Sequence, residues 1–103
     1  MNYKNLPPAE FKKNFETSSD SVLLDVRTAA EIATGKIKGA VEMDFFAADF
    51  NQKLLSLDKD KTYYIYCRSG NRSGQACAMM SENGFKNLNN LAGGMIAWEI
   101  EMR

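Results

Sequence analysis

The chain has 103 residues, 45% hydrophobic and 25% charged, proportions that suit one globular domain and leave little room for two. Thirteen Lys and Arg balance thirteen Asp and Glu, so no overall basic field is available to hold DNA, RNA or an anionic membrane. Histidine is absent, which excludes Ser-His-Asp and Cys-His catalysis, histidine-ligated metals and histidine pH switching. Two cysteines, Cys67 and Cys77, are too few for a disulfide framework or a cysteine-only zinc site, and no metal or organic cofactor is expected. The opening residues lack the apolar core of a secretion signal, and no uncharged apolar run approaches the ~20 residues of a membrane span. A reducing cytoplasm is therefore the expected location, with no nucleic-acid or membrane partner.

Pro7-Pro8 ends a short extended piece and opens a helix on which Phe11 and Phe15 share one face. Val22-Leu23-Leu24 reads as a buried strand running out into Asp25 and Arg27. A weak helix through Glu31 stops near Gly35, residues 41–43 form a second short strand, and residues 45–57 read as helix. Thr62-Tyr63-Tyr64-Ile65-Tyr66 is the strongest strand, almost wholly β-branched and aromatic. The polar run Cys67-Arg68-Ser69-Gly70-Asn71-Arg72-Ser73-Gly74 follows, then a helix over 75–83 that Gly84 terminates. Residues 87–91 give a last strand, and 95–102 a closing helix with Ile96 and Ile100 on one side. Strands alternating with helices predict an α/β domain spanning residues 1–103, with a mainly parallel sheet of about five strands and helices on both faces. Sites in such sheets lie beyond the strands' carboxyl ends, where Asp25, Arg27 and Cys67 fall.

A cysteine between a buried strand and a helix N-terminus faces unpaired backbone N–H groups, which favour an anion. Those donors, the helix dipole and the guanidinium groups of Arg68 and Arg72 predict a lowered thiol pKa without any histidine. Cys67 is thus the candidate nucleophile, with Arg68, Ser69, Gly70, Asn71, Arg72 and Ser73 as the substrate cradle. Asp25 and Arg27 are expected to support the site as a buried-end ion pair. Cys77, set among Ala76, Ala78, Met79 and Met80, reads as core filler, as does Trp98.

Three blocks resemble the rhodanese homology family of sulfurtransferases, and they extend over nearly the whole chain. The first is Leu23-Leu24-Asp25-Val26-Arg27 with Glu31 and the stretch from Gly35 to Ala40. The second is the Cys67–Ser73 loop, with glycine three and arginine five positions after the cysteine. The third runs from Gly84-Phe85 through Gly93-Gly94 to Ala97-Trp98. The chain departs from the family at Lys36 and Lys38, where histidine and proline are common, and at Ile32, where an aromatic is common. The resemblance implies a monomeric sulfurtransferase that carries sulfane sulfur as a Cys67 persulfide between small sulfur-containing anions, such as thiosulfate, and thiol acceptors, including a sulfur-accepting protein. A cysteine-dependent phosphatase, an arsenate reductase and a non-catalytic binding module are the alternatives. Phosphatase loops place five residues between cysteine and arginine, whereas four lie between Cys67 and Arg72.

Overall fold

The computed structural model describes residues 2–102 of the chain. Five strands, β1 (Lys4–Leu6), β2 (Ser21–Asp25), β3 (Val41–Glu42), β4 (Thr62–Tyr66) and β5 (Asn87–Leu91), alternate with helices α1 (Pro8–Thr17), α2 (Ala29–Ile32), α3 (Phe50–Leu55), α4 (Asn71–Glu82) and α5 (Gly94–Glu101). The strands form one parallel sheet in the order β1-β5-β4-β2-β3. Chain direction across the sheet reverses between β2 and β4, because β2 leads outward to β3 and the chain then returns to β2's other side. Such a switch opens a crevice at the carboxyl ends of the two strands, and this places the site.

Side-chain alternation along the strands supplies two cores, one on each face. On β4, Tyr63, Ile65 and the following Cys67 join Phe50, Leu54, Ala76, Cys77 and Met80 from α3 and α4. Tyr64 and Tyr66 point the other way, toward Phe11 of α1 and Met95 of α5, with Phe15 and Trp98 packed at the edge. The Phe11 ring meets Tyr64 and Trp98 edge-on, at centroid distances of 5.4 and 6.4 Å. Helices on both faces of a parallel sheet are what the strand and helix order predicts, and Cys77 and Trp98 take the packing roles expected of them.

Three boundaries differ from the sequence reading, and one helix face turns out to be exposed. Helix α3 begins at Phe50, not at residue 45, because Asp44 captures the Phe46 amide through its side chain (2.9 Å) and the Ala47 amide through its carbonyl (3.1 Å). Local bonding of this kind competes with helix nucleation. Helix α4 begins at Asn71, not at Gln75: its first turn is polar and carries no apolar periodicity, so Arg72 and Ser73 belong to the helix. Strand β3 stops at Glu42, although the Met43 amide still reaches the Asp25 carbonyl at 2.9 Å. Ile96 and Ile100 do share a side of α5, but it is the solvent side, while Met95 turns inward.

Candidate active site

The register between β2 and β4 pairs Asp25 with Tyr66, and the Val26 amide bonds the Tyr66 carbonyl at 3.0 Å. The segments carrying Arg27 and Cys67 therefore leave the sheet side by side. Asp25 and Arg27 are fully and almost fully buried, and they form the expected pair. Arg27 Nη2 donates to Asp25 Oδ2 at 2.7 Å, Nε to Oδ1 at 2.9 Å, and the Arg27 backbone amide to Oδ1 at 3.0 Å. The remaining reach of the guanidinium goes to the Gly35 carbonyl (2.7 Å) and the Glu31 carbonyl (3.4 Å), with its carbon 5.5 Å above the Tyr66 ring. Arg27 thus ties the turn after α2 to the end of β2, and its charged partner, Asp25, is itself fully buried.

Cys67 lies at the floor of the loop with no solvent exposure. The Gly70 amide donates to Sγ at 3.1 Å and the Ser73 hydroxyl at 3.3 Å. Burial pushes the thiol pKa up, but the Ser73 hydroxyl and the backbone amides of Ser73, Gly70 and Ser69 more than offset it, and the thiol sits below its ordinary value. Hydrogen-bond donors are therefore the main source of the lowered value, with the Arg72 guanidinium also coupled to the sulfur by charge. Cys77, on the same core face, is pushed up to about 12 by burial, with the nearby Cys67 adding to the effect.

The loop holds its shape because each turn of it is tied elsewhere. Gly70 has φ +97°, a left-handed conformation suited to glycine, and it caps α4. Asn90 of β5 donates its amide to the Gly70 carbonyl at 3.1 Å and to Asn5 at 2.9 Å. The N-terminus of α5 grips the other side: the Met95 amide bonds the Cys67 carbonyl (2.9 Å) and the Ile96 amide the Arg68 carbonyl (3.1 Å). A side chain on Gly94 would fall on the Arg68 carbonyl group, so this glycine permits the close approach.

The six cradle residues do different things. Ser69 and Gly70 line the sulfur with backbone, Ser73 with backbone and hydroxyl. Arg68 is exposed and has no ion pair among the described residues. Asn71 turns outward and accepts from the Gln75 side chain at 2.9 Å. Arg72 donates twice to Glu31, Nη1 to Oε1 at 2.8 Å and Nη2 to Oε2 at 2.7 Å, and packs 5.5 Å over the Phe46 ring. Sequence reasoning placed Glu31 on a helix but missed this partnership. The local half of its role was visible as Thr28-x-x-Glu31, a capping box that the structure completes with the Glu31 amide on Thr28 Oγ1 (3.3 Å) and the Thr28 amide on Glu31 Oε1 (3.0 Å). Among the described residues no cluster of three or more metal-ligating side chains occurs, and no helix is long and apolar enough to cross a membrane.

A parallel α/β domain with a cysteine cradled at the switch point defines the class, and comparison with known proteins gives the family. The family model described as Rhodanese-like domain matches residues 7–101, and the chain belongs to that family. It is 41% identical over 103 residues to a putative sulfurtransferase, YtwF, of Bacillus subtilis, covering 100% of this chain and 97% of that protein. A sulfurtransferase of Allochromatium vinosum is 42% identical over 81 residues, 79% of this chain and 74% of the relative. Among solved structures, a rhodanese-related protein of Thermoplasma volcanium superposes with a TM-score of 0.81 at 27% identity, covering 96% of this chain and 93% of its own.

Proposed function

We propose that the protein transfers sulfane sulfur from thiosulfate or a persulfide donor to a thiophilic acceptor through a persulfide on Cys67. The observation that carries this reading is the sulfur's surroundings: hydrogen-bond donors converge on Sγ from Gly70 and Ser73 and lower the thiol pKa without a histidine. The thiolate attacks the outer sulfur of thiosulfate, the S–S bond of the donor breaks, and sulfite leaves with the electron pair. The new outer sulfur stands about 2 Å beyond Sγ, which brings a buried nucleophile's cargo toward the mouth of the loop. An acceptor thiolate or cyanide then takes that sulfur and returns Cys67 as thiolate. Arg68, exposed and without an ion pair among the described residues, suits an anionic donor.

A cysteine-dependent phosphatase would need a wider cradle and an arginine free to clasp phosphate. Here four residues separate Cys67 from Arg72, and Glu31 already holds both terminal nitrogens of Arg72. The test is a thiosulfate and cyanide assay, with ping-pong kinetics expected, and intact-mass detection of a reductant-removable adduct of about 32 Da on Cys67. Cys67→Ser should abolish both signals. Turnover of a phosphomonoester with none of thiosulfate or any persulfide would overturn the reading.

A further inference from the structure

At the amino ends of β1, β4 and β5, away from the Cys67 loop, lies a cavity of about 420 Å3, within the size range of small-ligand sites. Strand register sets its floor. Lys4 of β1 pairs with Asn89 of β5, and Asn89 with Tyr64 of β4, so three adjacent strands, about 5 Å apart, present these side chains in one row. Thr62 stands two residues before Tyr64 on the same face, and Asn14 of α1 and Lys86 also line the cavity. Tyr64 belongs to the core on the α1 face and Cys67 to the core on the other, so cavity and nucleophile lie at opposite ends and on opposite faces of the sheet.

The cavity's charges have one sign. Lys4 and Lys86 make no ion pair among the described residues, and no Asp or Glu lines the cavity. Its floor also holds polar atoms without partners. Tyr64 and Asn89 are only 6% and 7% exposed, yet among the described residues the Tyr64 hydroxyl makes no hydrogen bond. Asn89 spends its amide nitrogen on the Tyr63 carbonyl (3.2 Å), while its Oδ1 accepts nothing. Polar groups on side chains this buried are normally bonded. Neither atom is sealed in protein, since Asn90 Oδ1 is the one fully buried side-chain polar atom left unbonded among the described residues, so both open to the cavity. Burial raises the Tyr64 pKa, which keeps that hydroxyl protonated and a donor. We infer that this cavity binds a phosphate monoester of a small hydroxylated molecule, its lysines attracting the phosphate and Tyr64 and Asn89 bonding the hydroxyls. A hydroxyl both accepts and donates, which matches the Tyr64 donor and the Asn89 acceptor side by side. Lysine, a point charge without a planar fork, suits a tetrahedral phosphate. The inference is independent of sulfur transfer.

The experiment is an amide NMR titration of the full chain with three probes: ribose 5-phosphate, ribose and inorganic phosphate. Ribose 5-phosphate should shift, saturably, the amides at the amino ends of β1, β4 and β5 and the Asn89 side-chain amide, and bind more tightly than either ribose or inorganic phosphate. Lys4→Gln should weaken ribose 5-phosphate by roughly fivefold, the scale of an exposed charge contact, and leave ribose unchanged. Tyr64→Phe keeps the ring in the core and removes only the hydroxyl, so it should weaken ribose and ribose 5-phosphate alike at an unchanged melting temperature. Intact-mass loading of Cys67 with sulfur from thiosulfate should proceed at the same rate with ribose 5-phosphate present. No shifts, shifts confined to residues 67–73, or competition with thiosulfate would overturn the inference. So would equal affinity for inorganic phosphate and ribose 5-phosphate, or binding that neither variant alters.

Discussion

Glu31 and Arg72, 41 positions apart in sequence, meet as a two-pronged ion pair with contacts of 2.8 and 2.7 Å. The same carboxylate caps α2 through Thr28, so one side chain fastens the segment after β2 to the first turn of α4, which begins five residues past the end of β4. The cysteine loop is thereby tied by a charge pair in addition to the α5 amides. Arg72 acts first as a brace of this loop.

Acid sensitivity should expose that brace. The Arg72 guanidinium beside Glu31 holds its carboxyl well down, at about 2, against an ordinary value near 4.3 in the unfolded chain. The folded state favours the carboxylate, so the pair contributes fully above the unfolded value and is lost as pH falls through that range toward 2. Glu31→Gln should cost about 1–2 kcal/mol at pH 7, discounted for partial exposure of the pair. Urea unfolding of the two proteins should show that gap closing as the pH approaches 2. A gap of constant size from pH 7 to 2 would mean that the charge contributes nothing.

Ser73 supplies the only side-chain hydroxyl on the Cys67 sulfur, at 3.3 Å among the described residues. Ser73→Ala should therefore raise the Cys67 pKa, and the pH profile of iodoacetamide alkylation should move to higher pH with little change in melting temperature. Cys77, with its thiol pushed up to about 12 by burial, should stay unmodified until the protein unfolds. Equal native-state labelling of the two cysteines would contradict the site's geometry.

The parts of this arrangement that were legible in the sequence are those governed by local composition. The β4 run of aromatic and β-branched residues, the polar loop after it and the Asp25-x-Arg27 end of β2 declare themselves within a few positions, and the parallel order follows from alternation. What stayed hidden depends on tertiary approach. Nothing local joins Glu31 to Arg72, or explains why Gly94 must lack a side chain: its neighbour is the Arg68 carbonyl, brought there by packing of α5 against the loop. The start of α3 was misplaced for a different reason, since Asp44 competes for amides that apolar periodicity assigned to a helix.

Two glycine substitutions should separate loop support from local strain. Gly94→Ala places Cβ on the Arg68 carbonyl and 2.6 Å from the Ser69 nitrogen at φ +57°, so the loop or α5 must move. A loss of about 2 kcal/mol or more in unfolding free energy is expected, together with loss of Cys67 loading. Gly39→Ala also has a positive φ, +92°, but open space around the new methyl. It should cost only about 1 kcal/mol of backbone strain and leave Cys67 reactivity unchanged. If the two variants behaved alike, contact between Gly94 and the loop would not be what shapes the site.

The two loop arginines should divide in the same way when thiosulfate is the donor. Arg68 is exposed and unpaired among the described residues, so its charge is available to the anion and its removal leaves no buried partner stranded. Arg68→Ala should lower thiosulfate kcat/KM by roughly threefold to tenfold, mostly through KM, with an unchanged melting temperature. Arg72→Ala leaves Glu31 without its charged partner and removes one of the ties on the loop. It should lower the melting temperature and slow Cys67 loading from every donor, charged or not, because the amides around the sulfur lose their fixed geometry. Arg72→Lys should restore part of the stability through a single contact, yet less of the activity, since one ammonium cannot reproduce the two parallel bonds. Steady-state kinetics and thermal melts of the three variants decide the matter. A thiosulfate-specific defect in Arg72→Ala at wild-type stability would instead make Arg72 the anion's direct partner.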